Sequence, residues 1–316
     1  MTAVFPTLTV QEIEYLDRTF QSLTLSDGRR LGFSQFGAPD GKPIFYFHGG
    51  PSSRLEGALL HHIAQQRGYQ VICPDRPGHG YSDVKPGYQI VDLADDVREL
   101  AQHLNLNSFG VMGTSSGGPP VIACAYSLAD QLEFALACGS AAPVYGDPQA
   151  TKQLSSLDRI SARLGLRLPR WMFIAAFGTM TGMIKNIKSQ RQYKRVLREM
   201  LCEADIKIVD SDPNFVPALM FSIREAFHQG PGGPSDDAIA IYQDWGFSLS
   251  EITFPVILAH GTEDKHAPFS FSEYLHTHIP NSLLIPLNNE GHYTHLVNAA
   301  RSFDLIEGKI LPPAAK

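Results

Sequence analysis

Short apolar runs separated by turn-forming stretches dominate the first part of the chain. Residues 20–24 and 30–36 are β-prone and flank Ser26-Asp27-Gly28, a turn signal that predicts an opening hairpin. Residues 44–48, 70–73, 109–112, 133–138 and 255–259 are apolar without alternation, the pattern of strands covered on both faces. Between the second and third of these, Ile90, Leu93, Val97, Leu100 and Leu104 recur at steps of three and four, which predicts an amphipathic helix. Asp92, Asp95 and Asp96 stand near its start, where the helix dipole favours acids. Strand alternating with helix predicts an α/β protein with a doubly wound, mostly parallel sheet.

The alternation breaks over residues 142–250. Helical patterns occur there, for instance Val196, Leu197, Met200, Leu201 and Ala204, with no convincing buried strand before Pro255. Gly230-Pro231-Gly232-Gly233-Pro234 predicts a loop. A block placed between two strands of one sheet reads as an insertion over one edge of it. The expected division is therefore a core of residues 1–141 and 251–316 and a helical cap of residues 142–250.

Composition narrows the function classes. Lys and Arg number 26 against 32 Asp and Glu, a net charge of −6, and no basic stretch could follow a phosphate backbone. Charged residues make up only 18%, while 43% hydrophobic content with 27 Gly and 22 Pro excludes disorder, collagen and coiled coil. Cys73, Cys124, Cys138 and Cys202 lie far apart in mostly apolar segments, so buried, reduced thiols are expected. No secretory signal is visible and the uncharged runs are broken or short, so the expectation is a cytoplasmic protein without stable membrane insertion. The partners expected are a small-molecule substrate and no nucleic acid, and a homodimer is compatible with the chain. No phosphate-binding, dinucleotide or zinc motif is present, and no cofactor or metal is expected.

The strongest chemical signal is Gly113-Thr114-Ser115-Ser116-Gly117, a G-x-S-x-G pattern between a strand-like run and a helical one. A serine at the apex of such a turn needs small neighbours two positions either side. Pro119 and Pro120 are compatible with a helix starting near residues 116–118, because first-turn N–H groups have no intrahelical partner. His48-Gly49-Gly50-Pro51 ends the first buried strand, and its glycines allow close approach of the main chain. The N–H groups of Gly50 and Ser116 are the candidate oxyanion donors, with His48 as a structural hydrogen-bonder. A nucleophilic serine needs a base and the base an orienting acid. Asp264 follows one late strand and His292 the next, placing both on loops at the edge that carries Ser115. Glu263 is a competing acid and His266 and His295 are competing bases. Gly49 and, in the insertion, Trp171, Phe173, Phe177 and Met180 are candidate substrate contacts; for most of the apolar insertion residues the favoured reading is packing of the cap onto the core, with pocket lining for a minority and contact with membrane lipid as a third reading.

In this order, the hairpin, His48-Gly49-Gly50-Pro51, Asp75-Arg76-Pro77-Gly78-His79-Gly80-Tyr81-Ser82, the turn at Ser115, Asp264 and His292 resemble the α/β-hydrolase superfamily. The likeness covers residues 22–140 and 255 to the end. It implies a serine hydrolase with a cap inserted after the sixth strand, and implies that residues 75–82 are mainly a structural turn. His-Gly-Gly-Pro also resembles proline iminopeptidases, with departures at Ser52 and at the Ser115 pentapeptide. An aminopeptidase would need cap acids for a free amine; Glu203, Asp205, Asp210 and Asp212 are available, with a solvated acidic face as the alternative. A serine at the elbow argues against epoxide hydrolases and haloalkane dehalogenases of this fold, which attack through a carboxylate. The preferred expectation is hydrolysis of an ester or lactone of a small, fairly apolar acyl compound. The alternatives are an aminopeptidase, a perhydrolase or haloperoxidase, an acyltransferase, or a ligand receptor.

Overall fold

The apolar runs become the strands of one sheet: β1 (Gln21–Thr24), β2 (Arg30–Gly37), β3 (Lys42–Phe47), β4 (Tyr69–Pro74), β5 (Phe109–Thr114), β6 (Leu132–Cys138), β7 (Val256–Gly261) and β8 (Ser282–Leu287). The computed structural model describes residues 7–143, 159–160, 164 and 167–309. Strand order is β1-β2-β4-β3-β5-β6-β7-β8. β1 and β2 form the predicted hairpin and β2 joins β4 antiparallel, while every other pairing is parallel. Parallel neighbours need crossovers, and those crossovers cover both faces of the sheet.

Among the described residues, the α-helices before β6 are α1 (Val10–Leu16), α2 (His61–Arg67), α3 (Asp92–His103) and α4 (Gly118–Ser127). Between β6 and β7 come α5 (Arg170–Lys185), α6 (Gln190–Val196), α7 (Glu203–Ser211), α8 (Phe215–Ala226) and α9 (Gly232–Tyr242). After β7 come α10 (Phe269–His278), α11 (Thr294–Val297) and α12 (Ala299–Ile306). On one face Leu93, Val97 and Leu100 of α3 and Val121 and Ile122 of α4 pack with Phe45, Phe47 and Val111. On the other, Ile63 of α2 and Phe303 of α12 meet Ile44, Val71 and Met112. Burying such side chains stabilises the fold by about 1.5–3 kcal/mol each. The helices between β6 and β7 have their own apolar cluster, including Phe173, Phe177, Val209, Phe215 and Met220, and it reaches Tyr293 and Leu296.

Two expectations for this segment are corrected. The helical pattern over residues 196–204 is broken, since α6 ends at Val196 and α7 starts at Glu203. Cys202 and Asp205 form a reciprocal cap, each side chain engaging the other's backbone N–H, and this starts a new helix. The Gly-Pro stretch is loop only up to Pro231, because α9 opens at Gly232 and takes Gly233 and Pro234 into its first turn. Proline costs little there, where N–H groups have no partner. Gly233 packs so closely on the loop after β4 that an added Cβ would stand 2.2 Å from the Gly78 carbonyl carbon. Residues 144–158 of the segment lie outside the described residues. Among the described residues, no helix is long and apolar enough to cross a membrane.

Candidate active site

Ser115 sits at the turn between β5 and α4, with residues 115–117 forming a short 3-10 turn. Its φ is 58°, in the left-handed region that costs a non-glycine residue roughly 1–2 kcal/mol. The flanking glycines make the turn feasible. A Cβ on Gly113 would fall 2.2 Å from the Gly117 carbonyl oxygen, and one on Gly117 would fall 2.0 Å from that of Phe47. The Ala141 N–H donates to the Ser115 carbonyl at 3.1 Å, tying the turn to the strand end after β6.

Asp264 follows β7 and His292 follows β8, so adjacent parallel strands bring them together across a separation of 28 residues. His292 Nδ1 lies 2.6 Å from Asp264 Oδ2. The other carboxylate oxygen accepts the N–H groups of His266 at 2.8 Å and Ala267 at 2.9 Å, and His260 Nε2 stands 3.3 Å from Oδ2. Burial alone would raise the Asp264 pKa, but the charge of His292 and hydrogen bonds from His260 and His292 outweigh it and hold the carboxyl well below its usual range. Burial alone would lower His292, and the Asp264 charge and hydrogen bond outweigh that, leaving its pKa above the ordinary 6.5.

The competing residues are placed differently. Glu263 is exposed. The His266 ring stacks on His292 with centroids 4.6 Å apart and planes 14° apart, and its Nε2 meets the Tyr293 hydroxyl at 3.1 Å. Burial and the neighbouring His292 push His266 down to about 3, so it stays neutral. His295 is buried, is likewise pushed down to about 3 by burial, and its Nε2 has no hydrogen-bond partner.

Gly49 and Gly50 follow β3 and share with Ser115 and His292 the lining of one cavity of about 100 Å³. A Cβ on Gly50 would stand 2.7 Å from Ser116 Oγ, so Gly50 and Ser116, the residues whose N–H groups are the candidate oxyanion donors, adjoin. His48 is fully buried, its Nδ1 2.8 Å from the Gly49 carbonyl oxygen and its Nε2 accepting the Arg76 N–H at 3.3 Å, as expected of a structural hydrogen-bonder. The loop from Asp75 is bound up in structure too. Arg54 donates to Asp75 through its backbone N–H and its guanidinium, at 2.8 and 2.9 Å.

The expected insertion contacts are corrected. Trp171 is 72% exposed and away from the cavity, while Phe173 and Phe177 are buried in the segment's own cluster. They fall four apart on the inward face of α5, and Trp171 falls on the outward face. Met180 belongs to α5, but its side chain lies outside the described residues. The apolar wall comes instead from Ile184, Leu197, Met200, Leu219 and Ile223 of the segment and Leu296 of α11. None of the four acids weighed for an amine lines it. Glu203 pairs with Lys207, Asp210 with Lys194, and Asp212 accepts the Thr7 N–H. Asp205 is no solvated residue. It is fully buried and accepts the Tyr293 N–H at 3.0 Å, bracing the loop that carries His292.

Sequence reasoning did not single out three polar lining residues, Glu56, Tyr193 and Tyr293. Glu56 is buried, accepting the Gly49 N–H and the Tyr46 hydroxyl at 2.9 Å each, and burial raises its pKa. The hydroxyls of Tyr193 and Tyr293 meet each other, continuing the contact of Tyr293 with His266. Only Tyr293, next to His292, had a local signal.

Comparison with known proteins gives a consistent picture. Residues 42–132 match the family model of the alpha/beta hydrolase fold. A non-heme chloroperoxidase of Streptomyces lividans is 25% identical over 258 residues, covering 79% of this chain and 84% of that protein. A bifunctional esterase/perhydrolase of Acinetobacter calcoaceticus is 25% identical over 256 residues, covering 79% and 84%. Among solved structures, a thermophilic esterase from Thermogutta terrifontis superposes with a TM-score of 0.65 at 23% identity, covering 92% of this chain and 97% of that one.

Proposed function

The chain belongs to the α/β-hydrolase superfamily, and from that premise we propose that it is a serine hydrolase cleaving an ester or lactone of a small, fairly apolar acyl compound. The observation that carries this reading is convergence on one cavity. Ser115, held in a left-handed conformation, and His292, backed by Asp264, both line it.

With its Nδ1–H donated to Asp264, His292 offers the Nε2 lone pair as base. Ser115 Oγ attacks the acyl carbon as its proton passes to Nε2, and the carbonyl oxygen becomes an oxyanion held by the N–H groups of Gly50 and Ser116. Collapse breaks the bond to the leaving oxygen, which takes the proton from His292 and departs as the alcohol. Water then gives a proton to His292, attacks the acyl-enzyme, and releases the carboxylic acid and Ser115. Each oxyanion donor contributes about 3–4 kcal/mol in such a step. The chemistry of the wall supports an apolar acyl group, and the cavity volume of about 100 Å³ supports a short one.

Active-site labelling by a fluorophosphonate, abolished in Ser115→Ala, is the expected result; folded wild-type protein that resists the probe would overturn the reading. A graded series of p-nitrophenyl esters beside proline arylamides then tests the substrate class, with short acyl esters expected to turn over fastest. Turnover of arylamides alone would move the assignment to an aminopeptidase. The names of the two curated relatives favour one second reading, in which hydrogen peroxide replaces water at the acyl-enzyme and the product is a peracid. A peracid yield that exceeds carboxylic acid at millimolar peroxide would select it.

A further inference from the structure

A buried ion pair lies against the peptide that would hold the oxyanion. Arg76, in the loop after β4, and Asp237, on α9, are each 3% exposed. Arg76 Nε and Nη2 donate to the two carboxylate oxygens of Asp237, both at 2.8 Å, and the Tyr88 hydroxyl donates to the same carboxylate at 2.7 Å. What remains of the guanidinium goes to two consecutive main-chain carbonyls: Nη1 to that of His48, and Nη2 also to that of Gly49 at 3.2 Å. The N–H of Gly49 is held separately, donating to Glu56 Oε1 at 2.9 Å.

The peptide joining Gly49 and Gly50 is trans, so the carbonyl of Gly49 and the N–H of Gly50 point in opposite directions. The Gly49 carbonyl, 2.8 Å from His48 Nδ1, is also drawn toward Arg76, which turns the Gly50 N–H away from both, and Gly50 borders the cavity beside Ser115. A peptide between two glycines has no Cβ to resist rotation, so its orientation depends on outside restraint. A flipped peptide would present the Gly49 carbonyl to the oxyanion instead of a donor.

We propose that the Arg76–Asp237 pair is a positioning device that sets the Gly49–Gly50 peptide, so that the helical segment between β6 and β7, acting through Asp237, determines whether Gly50 donates to the oxyanion. Neither side chain lines the cavity. The inference rests on the reading of Ser115 as nucleophile and Gly50 as donor. Close packing of Gly78 against Gly233 joins the same two elements and keeps the pair in register.

The test uses the full chain carrying Asp237→Asn, which keeps the side chain's size and shape but turns one acceptor oxygen into an amide donor, and Arg76→Lys, which keeps the charge without the fork. Removing an oxyanion donor costs about 100- to 1000-fold in kcat. Misaiming one is expected to cost about 10- to 100-fold per fluorophosphonate-titrated site on p-nitrophenyl acetate, with KM within about threefold. Binding of a trifluoromethyl ketone, which forms the oxyanion covalently, should weaken in proportion. A purely structural pair would lower thermal stability and the titratable fraction but leave kcat per titrated site within twofold of wild type, and that result would overturn the proposal. Should both variants fail to fold, the wild-type Gly50 amide proton is followed by NMR. A downfield move on adding the trifluoromethyl ketone is expected, and an unmoved resonance refutes the assigned orientation. Wild-type protein unlabelled by fluorophosphonate would sink the hydrolase reading itself, which keeps the two failures distinct.

Discussion

Replacing Asp264 by Asn probes the proposed base without changing its surroundings in size. In the native protein one carboxylate oxygen accepts two backbone N–H groups, of His266 and Ala267, so an asparagine would keep its carbonyl oxygen there. Its amide N–H then faces His292 Nδ1, which at 2.6 Å has to accept a proton where it had donated one. The imidazole is driven to the tautomer with hydrogen on Nε2, which presents a donor to Ser115 and cannot take its proton. A wrong tautomer in a serine triad costs about 10⁴ in kcat, equivalent to about 5.5 kcal/mol. The assay is steady-state hydrolysis of p-nitrophenyl acetate between pH 6 and 9, with circular dichroism to verify folding. The expected outcome is a loss of about four orders of magnitude with KM nearly unchanged, partly recovered at high pH as hydroxide replaces the base. A folded Asp264→Asn protein retaining more than a tenth of wild-type kcat would refute the assigned roles of Asp264 and His292.

The raised pKa of His292 makes activity and this pair's stability run in opposite directions. Its stabilising contribution is complete below the unfolded value near 6.5 and fades as pH rises through the folded pKa, whereas turnover needs the neutral ring, so the acid limb of kcat/KM should lie above 6.5. For Asp264, held low, the contribution is complete above the unfolded value near 4 and fades only as pH falls through the folded one; pH titrations of kcat/KM and of the melting temperature check both. Ser115→Gly, which relieves a left-handed φ of 58°, should be inactive yet at least as heat-stable as Ser115→Ala in differential scanning calorimetry. Arg54 is 1% exposed and faces Asp17, Asp75 and Glu225, so Arg54→Met should lose about 3–5 kcal/mol in a urea titration, chiefly by leaving the buried Asp75 carboxylate without its cation. Gly117→Ala, whose methyl would meet the Phe47 carbonyl oxygen at 2.0 Å, should yield little soluble protein, and normal yield with full activity would contradict the tight turn.

Legibility in the sequence followed the range of the interactions. The turn at Ser115 is a local object, a strand, small residues two positions either side and a helix, and all of it is written between Phe109 and Ser127. Asp264 and His292 were legible because a parallel sheet aligns the ends of neighbouring strands, so position after a strand predicts nearness. The cavity wall was not. Phe173 and Phe177 carry the same apolar label as Leu219 and Ile223, and only the packing of α5 against α8 and α9 decides which face the cavity and which the interior of the segment. Asp205 and Asp237 were hidden for a related reason. Their partners, Tyr293 and Arg76, lie 88 and 161 residues away, and nothing near them in the chain marks an acid that will be buried.

The strand order bears on how the protein comes into being. Ser115 follows β5, while Asp264 and His292 follow β7 and β8, which join the sheet only after the chain has passed through the whole helical segment. Contacts so far apart in the chain form slowly, so β7 is expected to dock on β6 late in folding. During synthesis the proposed nucleophile therefore emerges long before its proposed base. A nascent chain holding β1 to β6 has Ser115 without Asp264 or His292, so on the proposed mechanism it is expected to gain activity only once the last strands are in place.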